Sequence, residues 1–215
     1  KSENISHLML ERFESKPGLG ITAFLNGIEY NVGNKKLMDS KNIGFKEEII
    51  LKASDFENKA NTVVYFSGEN NLYAMIAIAD KIKETSIKAV KKMQSQNIEV
   101  YMLTGDNEQT AKAVADKIEI KNYKAEVMPS DKAEFIKELQ SKGRIVAMVG
   151  DGINDAPSLA RASIGIAIGA GTDVAIDSAD VVLTDSDPKD ILRFLDLAKQ
   201  TRRKMIQNLW WGAGY

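Results

Sequence analysis

The stretch best suited to chemistry is residues 149–157, which read Val-Gly-Asp-Gly-Ile-Asn-Asp-Ala-Pro. An unbroken apolar run at 145–149 leads into it and is typical of a strand buried on both faces of a parallel sheet. The two glycines that flank Asp151 permit positive φ and let a ligand approach the backbone closely. Either Asn154 or Asp155 can cap the helix that is predicted to follow.

Carboxylates directly after a buried parallel strand are well placed to bind a metal ion. Open α/β sheets bind ligands beyond the carboxyl ends of their strands, and hard carboxylate oxygens beside free backbone N–H groups suit Mg²⁺ together with phosphate. The sequence therefore predicts a metal and phosphate site around Asp151 and Asp155. The alternative is an Asx-rich turn that only caps a helix, and the two Gly, two Asp and one Asn in residues 150–155 argue against it.

A second polar loop follows another predicted strand, residues 98–103. Thr104, Gly105 and Asp106 come directly after this strand. If the two strands are neighbours, both loops meet in one crevice, where a hydroxyl and backbone N–H groups can hold phosphoryl oxygens while Asp151 holds Mg²⁺. Taken alone, Thr-Gly-Asp is as compatible with an ordinary turn.

Lys132 is the third element of the pattern. It lies in the first turn of a predicted helix that Ser130 can cap and Gly143 can end. From there its ammonium group could reach the same crevice and neutralise charge on a transferring phosphoryl group. A helical lysine is usually only a solvated side chain, so Lys132 gains weight from the two loops that accompany it.

Composition excludes several classes of function. A net charge of −1 gives no electrostatic support for nucleic-acid binding. The absence of Cys removes disulfides and thiolate metal sites, and the single His7 cannot build a zinc site. The eight Met residues are scattered through apolar patterns, which favours a place in the core over copper ligation.

The chain divides into two differently patterned parts. Residues 1–79 predict a small, mainly antiparallel α+β unit, and residues from 80 onward alternate strands with helices, as in a largely parallel, doubly wound sheet. In the first part the predicted elements are a weak helix at 2–13, a turn at 16–20, a hairpin with strands 21–25 and 28–32 around Asn26-Gly27, helix and loop at 37–54, and a hairpin with strands 62–66 and 72–79. In the second part they are a helix at 83–96, a strand at 98–103, helices over 111–118 and from 130, and strands at 145–149, 164–168 and 181–183.

The motifs resemble those of a known family. Thr104-Gly105-Asp106-Asn107, the segment Met-Pro-Ser-Asp-Lys at 128–132 and residues 149–157 are similar to the phosphorylation-domain motifs of P-type ATPases, which belong to the haloacid-dehalogenase-like superfamily. The segments 169–175 and 204–215, the latter with its Trp-Trp and Gly-Tyr, indicate the heavy-metal-transporting branch and are most similar to bacterial copper exporters.

The resemblance implies a fold and a division into domains. Residues 80–205 are expected to form a haloacid-dehalogenase-like doubly wound parallel sheet, the phosphorylation domain. Residues 1–79 are expected to be part of a smaller antiparallel α+β nucleotide-binding domain. Residues 206–215, aromatic after the basic Arg202-Arg203-Lys204, are expected to begin a transmembrane helix, with an amphipathic helix docked on the domain as the alternative.

It also implies roles in phosphoryl transfer. Asp151 and Asp155 match metal-site positions. The expected catalytic set is Thr104, Gly105, Asp106, Lys132, Asn154 and Asp155. The family's nucleophile lies in Asp-Lys-Thr-Gly-Thr, which occurs nowhere in these 215 residues. The expectation is therefore that these residues bind Mg²⁺, phosphate and nucleotide but by themselves form no phosphoenzyme.

The nucleotide contacts are carried over to the first part of the chain. Gly18, Gly20, Gly33 and Asn34 resemble positions where adenine and ribose approach the backbone, and as bare glycines they would more often be plain turns. The family also grips adenine with Ser-Glu and His-Pro. The matches here are Glu3 and, with a shift, His7, whose alternative is a partly exposed helix residue.

The function implied is the ATP-binding, phosphoryl-transferring part of a P-type ATPase that exports copper, with Mg²⁺ and ATP as cofactors. Its parent would lie in the cell membrane with these residues on the cytoplasmic side, and nucleic acid is not an expected partner. Three alternatives stay open: a soluble haloacid-dehalogenase-like phosphatase, a non-catalytic nucleotide-binding module, and a P-type ATPase for zinc, cadmium or silver.

Overall fold

The computed structural model describes residues 9–79, 81–150, 153–169, 176–185 and 187–213. The chain separates into two compact units. The first runs to Lys81 and also takes in Thr104–Val114 and Lys124–Glu126. The second comprises Ile82–Leu103, Ala115–Tyr123 and the chain from Val127 onward.

The first unit is built on one antiparallel sheet of five strands in sequence order. The strands are β1 (Arg12–Lys16), β2 (Gly20–Leu25), β3 (Ile28–Gly33), β4 (Thr62–Gly68) and β5 (Asn71–Ile78). The helices α1 (Lys35–Ser40) and α2 (Glu47–Asn58) connect β3 to β4. Leu37 and Met38 of α1 form a core with Ala53 of α2 and with Val63 and Tyr65 of β4.

Both hairpins turn on two residues in the left-handed region. Asn26 and Gly27 have φ of 53° and 75°, as the Asn-Gly signal predicts. In the second hairpin Glu69 and Asn70 have φ of 50° and 63°. The five residues 67–71 between the two predicted strands are therefore too many for the loop, because β4 and β5 continue pairing to Gly68 and Asn71.

The helix predicted at 2–13 is wrong where the structure describes it. Arg12–Lys16 is a strand whose register pairs Arg12 with Phe24 and Lys16 with Gly20. The available edge of β2 outweighs a weak helical pattern in so short a segment. Residues 2–8 lie outside the described residues.

The second unit contains the strand and helix alternation expected from the sequence. Its elements are α3 (Glu84–Ser95), β6 (Tyr101–Leu103), β7 (Asn122–Lys124), α5 (Pro129–Ser141), β8 (Ala147–Gly150), α6 (Ala156–Arg161), β9 (Ile164–Ile168), β10 (Val181–Leu183) and α7 (Lys189–Ala213). Helix α4 (Glu108–Ile118) begins within the segment that belongs to the first unit. Strands β8, β9 and β10 form a parallel sheet in the order β10-β9-β8, and β6 pairs with β7.

For the central strand, the condition that it neighbours the strand before the first polar loop is not met, and the expectation that it is buried on both faces is wrong. Among the described residues β6 is not hydrogen-bonded to β8, so the strands before the two polar loops are not neighbours in one sheet. Strand β8 pairs with β9 on one side, and it is not buried on both faces, since Ala147 within it is exposed. An apolar run identifies a strand, but it does not identify the strand's neighbours.

Helix α7 runs without a break from Lys189 through the predicted boundary at 205/206. Leu209, Trp210 and Trp211 are 70%, 77% and 71% exposed. Within the described residues, none of the helices combines the length and the apolar composition that a membrane crossing requires.

Candidate functional site

The second unit brings two predicted site residues into direct contact. Lys132 Nζ lies 2.7 Å from Asp155 Oδ1, and the two side chains are 18% and 12% exposed. A charge-assisted hydrogen bond with so little solvent around it is strong and fixes both side chains. A lysine that only extended into solvent would not show this contact, so Lys132 is more than a solvated helix side chain.

Gly150 packs closely against Asp155. A Cβ at Gly150 would stand 2.7 Å from Asp155 Cβ and 2.8 Å from its Oδ2, closer than real side chains approach. The glycine is thus required by the close approach of Asp155. Gly150 is absent from the residues with positive φ, so this glycine does not use the positive φ that its type permits.

Lys132 and Asp155 lie at the starts of two helices, α5 and α6. At the start of α5 the N–H of Met128, the N-cap residue, donates to Asp131 Oδ2 at 3.1 Å. This bond fixes the first turn of the helix, in which Lys132 follows Asp131. Ser130, the predicted cap, instead donates to Asp131 Oδ1 at 3.2 Å. Asp155 stands at the N-cap position of α6 after a short 3₁₀ turn, yet its carboxylate makes no capping bond and bonds to Lys132 instead. Asn154 is exposed beside it.

The metal site can be tested in part. Asp151 lies outside the described residues, and among the residues that the structure does describe no three His, Cys, Asp or Glu side chains converge in a way that could hold a metal ion. Asp155 offers hard carboxylate oxygens, with Oδ1 bonded to Lys132 and Oδ2 facing Gly150. Oxygen donors of this kind fit Mg²⁺.

The loop at 104–107 belongs to the first unit and is held by its own hydrogen bonds. Thr104 Oγ1 donates to Asp106 Oδ2 at 2.8 Å and accepts from the Asp106 N–H at 3.1 Å. The Thr104 N–H donates to the carbonyl of Lys124 at 3.0 Å. Gly105 is exposed. The Thr104 hydroxyl proton is therefore used within the loop in this state, which leaves the backbone of Gly105 as the open surface of the loop.

Residues that the sequence did not single out surround this loop. Thr62 Oγ1 donates to Asp106 Oδ1 at 3.0 Å, and Asn107 Nδ2 donates to Glu57 Oε1 at 2.6 Å. Burial raises the pKa of Glu57, and the hydrogen bond from Asn107 opposes that rise. Partners separated by 44 and 50 positions leave no local sequence signal, so only the tertiary structure reveals them.

Two of the glycines predicted to contact nucleotide, Gly20 and Gly33, pack directly against each other. Gly20 has φ of 143°, and a Cβ there would stand 2.3 Å from the Val32 carbonyl oxygen and 2.5 Å from Gly33 Cα. A Cβ at Gly33 would stand 2.3 Å from the Leu19 carbonyl oxygen. Both positions need glycine because two strands and α1 approach each other there, a structural demand that exists without any ligand.

Asn34 ties the same region together. Its Nδ2 donates to the Gly18 carbonyl at 2.8 Å, its Oδ1 accepts from the Leu37 N–H at 3.0 Å and caps α1, and Gly18 has φ of 72°. The predicted residues Gly18, Gly20, Gly33 and Asn34 are therefore one contiguous group. Glu3 and His7 lie outside the described residues.

Comparison with known proteins matches these motifs to one family. A model of the haloacid dehalogenase-like hydrolases matches residues 4–163. The chain is 45% identical over 215 residues to a "Probable copper-transporting P-type ATPase B" of Staphylococcus aureus, covering 100% of this chain and 32% of that protein. It is 47% identical to the "Copper-exporting P-type ATPase B" of Enterococcus hirae, covering 100% of this chain and 28% of the relative.

A solved structure gives the same answer. The structure of a zinc-transporting PIB-type ATPase in the E2·Pi state is similar with a TM-score of 0.64 and 30% identity, over 93% of this chain and 32% of that one. The chain spans about a third of the length of these relatives. The α/β fold class inferred from the motifs and the resemblance to the metal-transporting P-type ATPases are both confirmed. The chain belongs to the haloacid dehalogenase-like hydrolase family, and its similarity within that family is to the heavy-metal P-type ATPases.

Proposed function

We propose that this chain is the nucleotide-binding and phosphoryl-transferring part of a P-type ATPase that exports copper ions across a membrane. The observation that carries the proposal is the shielded Lys132–Asp155 ion pair, packed against Gly150 at the end of β8. A positioned cation beside hard oxygens at the carboxyl end of a parallel strand is suited to phosphoryl groups. The two bacterial relatives, both named for copper, support the choice of ion.

The proposed chemistry is transfer through an aspartyl phosphate. An aspartate carboxylate oxygen attacks the γ-phosphorus of ATP as the bond to the ADP oxygen breaks, and water later cleaves the acyl phosphate. These 215 residues contain no Asp-Lys-Thr-Gly-Thr, so the attacking aspartate belongs to another part of the full-length protein. Lys132 neutralises charge on the transferred group, and Asp151 and Asp155 hold Mg²⁺, which when bound compensates phosphoryl charge.

The proposed division of labour follows the domains expected from the motifs. Residues 1–79 bind ATP, residues 80–205 carry out phosphorylation, and residues 206–215 begin a membrane helix. The contiguous group formed by Gly18, Gly20, Gly33 and Asn34 supports the first assignment, because Gly18 in it is exposed and has no side chain that would keep a flat base from the backbone. The exposed Leu209, Trp210 and Trp211 support the last.

Zinc is the second candidate cargo, because the similar solved structure belongs to a zinc-transporting ATPase. Copper selection requires soft ligands, thiolates or thioethers; the chain has no Cys, and its eight Met are scattered through apolar patterns. ATPase activity of the full-length protein in vesicles, measured with Cu⁺ and with Zn²⁺ in turn, identifies the cargo. Stimulation by Zn²⁺ alone would replace copper in the proposal without touching the phosphoryl chemistry.

Phosphoenzyme formation tests the central claim. Full-length protein incubated with γ-labelled ATP should give an acid-stable, hydroxylamine-sensitive label that requires Mg²⁺. Asp151→Asn should reduce its rate at least about a hundredfold, because the metal's charge compensation is lost. Near-normal labelling of Asp151→Asn at low Mg²⁺ would remove Asp151 from the metal site. No label on the wild type would remove the P-type cycle.

Nucleotide binding has its own test. Titration with a nonhydrolysable ATP analogue, followed by backbone amide shifts, should perturb residues near Gly18 and Asn34. Shifts confined to the surroundings of Asp106 and Asp151 would show that the proposed division of labour is wrong.

A further inference from the structure

The loop at 104–107 is anchored by residues from the part of the chain proposed to bind nucleotide. Its anchors are Glu57 at the end of α2, Asn61 just after it, and Thr62 at the start of β4. Thr110, three residues past the loop and 2% exposed, donates through Oγ1 to the Asn61 carbonyl at 3.1 Å. All of these residues lie in the first compact unit.

Asp106 is held at both carboxylate oxygens. Oδ2 accepts from Thr104 at 2.8 Å and Oδ1 from Thr62 at 3.0 Å, while the Asp106 carbonyl accepts from the Glu126 N–H at 2.8 Å. Thr104 comes from the loop itself, so Thr62 is the donor that ties the carboxylate to β4. Without the Thr62 hydroxyl, the carboxylate can rotate and its hold on Thr104 and on the backbone of the loop weakens.

Asn107 is fixed by a second contact of the same kind. Its Oδ1 accepts from the Thr110 N–H at 2.9 Å and caps α4, while its Nδ2 donates to Glu57 Oε1 at 2.6 Å. An amide side chain has one oxygen and one nitrogen end, so the acceptor at Glu57 fixes which end faces the helix. Glu57 therefore sets both the position and the orientation of the cap.

We propose that Thr62 and Glu57 are positioning residues for phosphoryl transfer, which hold Asp106 and Asn107 so that the exposed Gly105 backbone keeps the geometry that a phosphoryl group requires. The inference rests on the proposed function. Neither side chain touches the reacting atoms, since each acts through a residue of the loop. A loop held in its binding geometry before the substrate arrives lowers the barrier without changing what the loop contacts.

Four substitutions in the full-length protein test the inference. Thr62→Val keeps the shape of the side chain and removes the hydroxyl, while Thr62→Ser keeps the hydroxyl. Glu57→Ala removes the acceptor for Asn107, while Glu57→Gln keeps an oxygen there. Glu48→Ala is the matched control, because Glu48 is exposed on the same helix as Glu57.

Two quantities are measured for each variant: the single-turnover rate of phosphoenzyme formation from γ-labelled ATP, and the Kd of a nonhydrolysable ATP analogue. Thr62→Val and Glu57→Ala should slow the rate about 3- to 10-fold, the effect of losing one hydrogen bond that is made outside the reacting centre. Their Kd should stay within about twofold of the wild type, since the predicted nucleotide group lies elsewhere. Thr62→Ser, Glu57→Gln and Glu48→Ala should react at nearly the wild-type rate.

Three results would overturn the inference while leaving the proposed function intact. The first is a wild-type rate in both Thr62→Val and Glu57→Ala. The second is a Thr62→Ser variant as slow as Thr62→Val, which would show that the hydroxyl is irrelevant. The third is a Kd that rises by the factor by which the rate falls, which would make these residues part of the nucleotide site. A wild-type protein that forms no phosphoenzyme would overturn both proposals.

Discussion

The two compact units hold their predicted site residues by different physical means. In the second unit Lys132 and Asp155 form an ion pair largely shielded from solvent. In the first unit Gly20 and Gly33 are held by backbone packing, and Asp106 accepts hydrogen bonds from two neutral hydroxyl groups. The site residues of the second unit are therefore fixed by an ion pair, and the glycines of the first unit are fixed by close backbone packing.

The difference matches what each group would be asked to do. A shielded charge pair is costly unless its partners stay paired, and it is suited to a place where charge develops during reaction. Close backbone packing gives little electrostatic effect, and it leaves no room for a side chain at Gly20 or Gly33. Substitutions at Gly20 and Gly33 should consequently change stability, whereas substitutions at Lys132 should change the rate and, because they leave the Asp155 carboxylate unpaired, stability as well.

The largest effect is expected at Gly20. Gly20→Ala introduces a Cβ 2.3 Å from the Val32 carbonyl oxygen at a positive φ, and should destabilise the first unit by roughly 2–5 kcal/mol. Amide hydrogen exchange should show lost protection in β2 and β3 and unchanged protection in β8 and β9. Gly27→Ala is the control, because φ there is also positive but nothing lies within 4 Å, so it should cost only about 1 kcal/mol. Equal losses in the two variants would show that close packing is unimportant.

Lys132→Ala should act on the rate. Losing the cation should slow phosphoenzyme formation about a hundredfold, close to 2.7 kcal/mol, with nearly unchanged ATP affinity. Lys137→Ala on the same helix is the control, since Lys137 is 58% exposed and its pair with Glu134 spans 3.6 Å. A rate close to that of the wild type would reduce Lys132 to a structural partner of Asp155.

The sequence predicts those parts of the fold whose signals are local. Asn26-Gly27 specifies its hairpin because both residues tolerate positive φ, and Gly143, with φ of 76°, ends α5 as predicted. The pairing of β6 depends instead on which strand edges are available, and a run of apolar residues carries no such information. The strand predicted at 98–103 accordingly shortens to Tyr101–Leu103.

The candidate site shows the same limit. Motifs point to Lys132 and Asp155 separately, and the 2.7 Å contact between them is a tertiary fact. Sequence alone also does not reveal the crowding at Gly150, which comes from Asp155, five residues later. Glu57 has no motif at all, and only the fold brings it to Asn107.

Gly150→Ala tests both kinds of interaction at once, because it crowds Asp155, the carboxylate that pairs with Lys132. A Cβ 2.7–2.9 Å from three atoms of Asp155 should cost about 1–3 kcal/mol and push the carboxylate off Lys132. Thermal unfolding should therefore show lower stability, and phosphoenzyme formation should slow as well. Gly44→Ala, with nothing within 4 Å, should change neither. Lower stability without a change in rate would mean that the ion pair can shift without loss of function.

The smallest effect is expected in the pH dependence of stability, to which Glu57 contributes and the neutral contacts around it do not. Burial raises the pKa of Glu57 above its ordinary value of 4.5, so the folded protein holds this proton more tightly than the unfolded chain does. The resulting stability is fully present below about pH 4.5 and is lost as pH rises through the elevated pKa. Glu57→Gln cannot titrate and keeps an acceptor for Asn107. The Tm of Glu57→Gln minus that of the wild type should therefore increase from pH 4 to pH 7, whereas the same difference for Glu48→Gln should stay flat. A difference that falls with pH would show that the carboxylate is stabilised in its charged form, with the Asn107 hydrogen bond outweighing burial, and a constant difference would show that the two effects cancel.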